Sequence, residues 1–235
     1  MTVPVSPHGA RPSGPLGSRS GPEGRAPCVD PCVDPCVDPC VDPHAVTAHR
    51  GWHSRGYLPH FDTAHVIQSI TYRLADSLPV EVLRRYEQMV TDESDDQRQG
   101  ALRRLIERFL DSGHGSCVLR QSAIAGMVID AWRHFDGDRY RLHAWVVMPN
   151  HVHVLCEPLS GHSLSSIVSS WKSFTALNIN RLLGRSGPLW LEDYWDRFIR
   201  DADHYDRVIA YIHDNPVKAG LASERTAWPW SSAAL

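Results

Sequence analysis

No apolar run in this 235-residue chain approaches the ~18 residues a membrane-spanning helix needs, so no membrane partner is expected. The first twenty residues also lack the apolar stretch of a secretory leader, which makes a soluble cytoplasmic protein the default expectation. Positive charge is not in excess: 24 Lys and Arg stand against 27 Asp and Glu, a net charge of -3 with histidine neutral. That counts against a polyanion binder working by bulk charge, but leaves room for a locally basic groove. A glycine-rich loop ending in Gly-Lys-Ser or Gly-Lys-Thr is missing, so no cradle for ATP phosphates is visible.

Large apolar side chains are nearly absent from residues 1–50, where Pro, Gly, Ser and Arg dominate. Such a segment cannot bury enough surface to offset its ordering entropy, and a disordered tail is expected. Within it, Pro27 to Asp42 repeats Pro-Cys-Val-Asp, placing Cys28, Cys32, Cys36 and Cys40 four residues apart. Metal binding is one reading. Zinc sites favour tighter cysteine pairs on a folded scaffold, and the recurring proline prevents a helix, so a low-complexity expansion is the preferred one. Residues 1–43 are expected to be dispensable for folding and activity.

The rest of the chain, 51–235, is long enough for one substantial core, and 42% hydrophobic and 22% charged residues are ordinary for a globular domain. Its order is expected to begin in an aromatic segment, Trp52 to Asp62, packed on the domain surface. Val66 to Leu74 is rich in β-branched and aromatic residues and predicts a first strand. Pro79 opens a helix to about Met89. A polar break covers Asp92 to Gln99, a second helix Ala101 to Leu110, and a connection with a short extended piece Gly113 to Leu119. Ser122 caps a helix to about Phe135. Tyr140–Met148 and His151–Glu157 predict an antiparallel hairpin turned at Pro149-Asn150. Leu164–Leu183 reads as an amphipathic helix through Ile167, Val168, Trp171, Phe174 and Leu177. A late helix, about Asp203 to Asp214, should break at Asn215-Pro216. This order predicts an α+β fold with helices on one face of an antiparallel sheet.

The stretch from Ala144 to Glu157 contains His151-Val152-His153. On a strand the two imidazoles share one face while Val152 and Val154 turn into the core. Such a pair either clamps a metal or is two incidental polar positions on a half-exposed sheet. The late helix carries Tyr211 and Asn215 four residues apart, hence on one helical face. If that face meets the histidine strand, two imidazoles, an amide oxygen and a phenol converge. This set lacks the third histidine or carboxylate of a zinc hydrolase. It suits a divalent ion that keeps positions for water and phosphate oxygens, beside a phenol able to attack phosphorus.

Ala144-Trp145-Val146-Val147-Met148-Pro149-Asn150-His151-Val152-His153-Val154-Leu155 resembles the His-hydrophobic-His motif of single-tyrosine HUH transposases, an IS200-like superfamily. Tyr211-Ile212-His213-Asp214-Asn215-Pro216-Val217-Lys218-Ala219-Gly220-Leu221 resembles their tyrosine helix. Asn-Pro-Val-Lys-x-Gly, Trp195-Asp196-Arg197-Phe198-Ile199-Arg200, Trp228-Pro229-Trp230-Ser231-Ser232 and Thr71-Tyr72-Arg73 look like the REP-associated tyrosine transposase branch.

The resemblance implies a ferredoxin-like α+β domain over residues 51–235, with a C-terminal catalytic-tyrosine helix, that cuts and rejoins single-stranded DNA at REP-type hairpins. It implies that His151, His153 and Asn215 hold a divalent ion, Mg²⁺ or Mn²⁺. Tyr211 would be the nucleophile, giving a 5′-phosphotyrosine. Lys172, Arg197, Arg200 and Lys218 are candidates for the DNA backbone, each set against a solvated surface charge. The protein would act as monomer or homodimer, nucleoid-associated when on DNA.

Of the other aromatic residues, Tyr205 lies on another face of the late helix, and Tyr194 reads as core. His213 should be at the surface. Trp171, Trp190 and Trp195 are read as core rather than base-stacking platforms. Two alternatives stay open: a domesticated, non-catalytic hairpin-binding protein, and a metal-dependent phosphodiesterase using water, with Tyr211 structural.

Overall fold

The computed structural model describes residues 51–54, 59–91 and 94–235. The Pro-Cys-Val-Asp repeats and the expected tail fall outside these. Among the described residues, six strands and five longer helices follow in order. A short hairpin, β1 (Gly51–Ser54) and β2 (Pro59–Asp62), precedes β3 (Gln68–Arg73). Then come α1 (Val80–Met89), α2 (Asp95–Asp111) and α3 (Ser122–Arg133). The hairpin β4 (Tyr140–Val147) and β5 (His151–Pro158) leads through α4 (Leu164–Leu182) to β6 (Trp195–Phe198) and α5 (Ala202–Lys218).

The four-stranded sheet has the order β4-β5-β3-β6, with every neighbouring pair antiparallel. β3 returns to β4 through helices, and β5 to β6 through α4, each crossover skipping one strand. That is the ferredoxin-like α+β arrangement. Strand alternation then decides what each face buries. Ile70, Tyr72, Val152, Val154 and Cys156 face one core with α3 and α4, whose Ile124, Val128, Trp132, Ile167 and Trp171 are buried there. The buried tryptophans satisfy their N–H groups: Trp132 donates to Tyr72, Trp171 to Tyr140 and Trp190 to Thr175.

The opposite face is covered as well. Ala144, Val146, Met148 and Leu155 pack against Ile212, Val208 and Ile209 of α5. The expectation of helices on one face only is therefore corrected: the apolar stripe of α5 needs a sheet face of its own. Leu177 is 60% exposed, because it lies six residues from Trp171, about 240° around the helix. The fourth strand, β6, was missed, since four residues mixing aromatics with charge carry little periodicity. α2 begins at Asp95 rather than near Ala101, and the predicted extended piece is instead a 3-10 turn at Val118–Arg120.

α5 runs through Pro216 to Lys218 instead of breaking. Proline removes one bond and crowds the carbonyl four residues back, but here it stands near the helix end, which is closed by Ala219 N–H to Asn215 and Leu221 N–H to Pro216. The tail also helps to close the fold: Val147 N–H donates to Trp230, and Trp228 Nε1 to the Val147 carbonyl. These bonds cover the free edge of β4. Among the described residues, no helix is long and apolar enough to cross a membrane.

Candidate active site

His151 and His153 lie on the α5 side of β5, paired in register with Arg73 and Thr71 of β3. Their Nε2 atoms stand 3.1 Å apart. The tautomer of His151 follows from Asn150. Its Nδ2 donates to the carbonyls of Leu110 and His114, so its Oδ1 is the acceptor that meets His151 Nδ1 at 2.8 Å. Nδ1 of His151 therefore carries the proton, and Nε2 keeps its lone pair. His153 Nδ1 meets Thr71 Oγ1 at 2.8 Å, a hydroxyl that can accept in the same way.

Both imidazoles are 1% exposed. Burial, reinforced by the Arg73 charge, pulls His151 down to about 3. Burial, then His151 and Arg103, holds His153 well below the usual histidine range. Both rings are neutral near pH 7, the form that ligates metals.

The tyrosine helix packs over this pair. Tyr211 meets His153 edge-on, with ring centroids 5.3 Å apart. Burial, then the charges of Glu107 and Asp111, raises the phenol's pKa; Arg103 and Asn215 oppose the rise. Asn215 is 1% exposed; it lies near enough to this phenol for a weak hydrogen bond that lowers the Tyr211 pKa, but neither Oδ1 nor Nδ2 meets a partner in good hydrogen-bonding geometry. An orphaned buried amide costs about 1–3 kcal/mol and points to a group not made by the chain.

α2 adds a wall that sequence reasoning did not assign to the site. Arg103, Glu107 and Asp111 recur every fourth residue and so form one stripe. Arg103 Nε donates to Glu107 at 2.8 Å, and Asp111 Oδ1 lies 3.7 Å from His151 Nε2. Burial, then the Glu107 charge, pushes Asp111 up to about 6, with Lys218 opposing. The spacing was legible in the sequence, but nothing there showed which face of α2 turns inward. Asn150 and Thr71, which orient the histidines, were likewise not among the predicted site residues.

The predicted DNA contacts separate into groups. The Lys218 ammonium lies 5.3 Å from the centre of the Tyr211 ring. Arg197 and Arg200 are exposed, and with Arg103 they form a cationic group dense enough to lower the Arg197 pKa, though burial lowers it more. Lys172 is elsewhere, on α4, donating to the carbonyls of Leu191 and Glu192. His213 is half-buried rather than at the surface, paired with Ser232. Tyr205 hydrogen-bonds His143, and Tyr194 is buried in the core. Trp171 and Trp190 are buried too, while Trp195 packs half-buried beside α2.

Among the described residues no three His, Cys, Asp or Glu side chains already form a metal cluster. Two imidazole nitrogens 3.1 Å apart nevertheless match the ~3.0 Å edge between adjacent ligands of an octahedral ion at ~2.1 Å. With the unpartnered Asn215 amide, these residues fit a divalent ion.

Residues 132–215 match the family described as "Transposase IS200 like". A REP-associated tyrosine transposase of Escherichia coli strain K12 is 29% identical over 93 residues, covering 40% of this chain and 54% of that one. A putative REP-associated tyrosine transposase of Haemophilus influenzae is 29% identical over 96 residues, covering 37% and 54%. The chain thus spans about half the length of these relatives. A solved structure of a REP-associated tyrosine transposase bound to a REP hairpin aligns at 19% identity with a TM-score of 0.46, over 74% of this chain and 79% of that one. The stretch that matches the IS200-like transposase family, residues 132–215, is the one that holds both histidines, Tyr211 and Asn215.

Proposed function

We propose that the protein cleaves and rejoins single-stranded DNA at hairpin-forming, REP-like palindromes, with Tyr211 as nucleophile and a divalent ion held by His151, His153 and Asn215. The observation that carries this reading is the meeting of two neutral, inward-facing imidazoles with a tyrosine whose helix also brings an unpartnered buried amide. When bound, Mg²⁺ or Mn²⁺ supplies Lewis-acid polarisation of the scissile phosphate.

The chain's own residues do the rest. Tyr211 Oη attacks phosphorus; the bond to the 3′ oxygen breaks, and that oxygen leaves as a hydroxyl with the proton given up by the phenol. The fragment downstream of the cut stays on the enzyme, joined through its 5′ phosphate as a phosphotyrosine. Rejoining reverses the step with a 3′-hydroxyl as attacker, so the phosphodiester energy is conserved and no nucleotide is consumed. Arg197, Arg200 and Lys218, joined by Arg103, supply cationic contacts for the DNA backbone.

The test is a labelled hairpin oligonucleotide incubated with the protein and Mg²⁺ or Mn²⁺, then run on a denaturing gel. A covalent adduct is expected, absent in Tyr211→Phe. His151→Ala should lose cleavage while still binding the hairpin. Cleavage without an adduct would make water the nucleophile. Binding alone would make the protein a non-catalytic hairpin binder.

A further inference from the structure

The geometry points to Asp111 as a fourth protein ligand of the ion, supplied by α2; this rests on the reading of His151, His153 and Asn215 as an ion site. Three observations meet here. His151 Nε2 carries a lone pair, because Asn150 fixes the proton on Nδ1. Asp111 Oδ1, another acceptor, is itself buried, makes no hydrogen bond and faces that nitrogen at 3.7 Å. Asn215, 1% exposed on the adjoining helix, also has no partner for its side-chain oxygen.

Two acceptors turned towards each other in a buried place repel, and the repulsion is relieved by a cation between them. A carboxylate oxygen is also the donor that a hard divalent ion prefers over a second amide. The end of α2 is held for this. Asn150 bonds the Leu110 carbonyl, the residue before Asp111, with the same side chain that orients His151. Closing from 3.7 Å to the ~3.0 Å spacing of adjacent octahedral ligands needs a shift of only about 0.7 Å, within the reach of one carboxylate rotation.

Asp111 then has a second effect. It changes the donor set from two imidazoles and an amide, which is neutral, to one carrying a negative charge, and so raises affinity for a divalent cation before DNA arrives. In the family's stretch, residues 132–215, no acidic side chain stands at this pair of nitrogens; Asp111 comes from outside it.

The full-length chain is titrated with Mn²⁺, following loss of the free-ion electron paramagnetic resonance signal. The wild type, Asp111→Ala, Asp111→Asn and His151→Ala are compared, each with its melting curve. Wild type is expected to bind one ion, and both Asp111 variants to bind it at least tenfold more weakly with melting temperatures near wild type. His151→Ala should bind none. The Co²⁺ form provides a second readout: its visible absorption should shift in Asp111→Asn, which keeps the shape of the side chain. If both Asp111 variants bind Mn²⁺ within twofold of wild type and leave the Co²⁺ spectrum unchanged, while His151→Ala loses the ion, Asp111 is no ligand and the ion site stands. If the wild type binds no Mn²⁺, the ion site fails, and Asp111 with it.

Discussion

At the scale of single residues, the site is organised by hydrogen bonds made behind the imidazoles. Thr71 Oγ1 is the partner of His153 Nδ1, just as Asn150 Oδ1 is that of His151. Removing such a second-layer partner lowers metal affinity by about 10–100-fold in comparable sites. Thr71→Val keeps the shape on a central strand, so its Mn²⁺ affinity should fall by about tenfold or more with little change in melting temperature. A titration against wild type measures it. The histidine pair itself was legible, because alternation on a strand needs only spacing. Tyr211 and Asn215 were legible as one helical face for the same reason. Thr71, Asn150 and Asp111 were not, because their roles depend on register and packing between segments 40 to 82 positions apart in the chain, which no local pattern encodes.

At the scale of elements, β3 and β5 form the centre of the sheet, and each is buried on both faces. Ile70 of β3 is fully buried against α3 and α4, while its neighbours Ser69 and Thr71 face the site. Ile70→Ala should cost about 2–5 kcal/mol by cavity formation, read as a lowered midpoint in chemical denaturation. Helices α1, α3 and α4 were placed within a few residues from apolar periodicity and proline. β6 and the covered second face were missed. Its four residues pair with β3 through backbone bonds, and Asp196 and Phe198 turn towards β2 through His60 and Phe61, so the strand is set by partners rather than by its own pattern. The continuation of α5 through Pro216 was missed because burial of Ile212, Asn215 and Pro216 outweighs the one backbone bond proline removes.

At the scale of the whole molecule, the β1–β2 hairpin is tied to the domain by buried polar groups. Asp62 accepts from the first N–H of α4, and His60 sits between Asp193 and Asp196. Burial opposes a charge on His60, but the hydrogen bonds and charges of the two aspartates outweigh it and raise its pKa to about 9. The folded state therefore holds this proton more tightly than the unfolded chain does. The stabilisation is full below the ordinary histidine value of about 6.5 and is lost as pH rises through about 9. Denaturation midpoints should fall over that window, and His60→Asn should flatten the fall. The histidine pair, 1% exposed beneath α2 and α5, sets a different kind of limit. Whatever meets these nitrogens enters only when part of the wall around them, a side chain such as Asp111 or a helix, moves aside. Arrival is then a unimolecular opening followed by capture, so its rate saturates with concentration instead of rising in proportion to it. Departure passes through the same opening, so the site exchanges its contents on the clock of that motion rather than of diffusion.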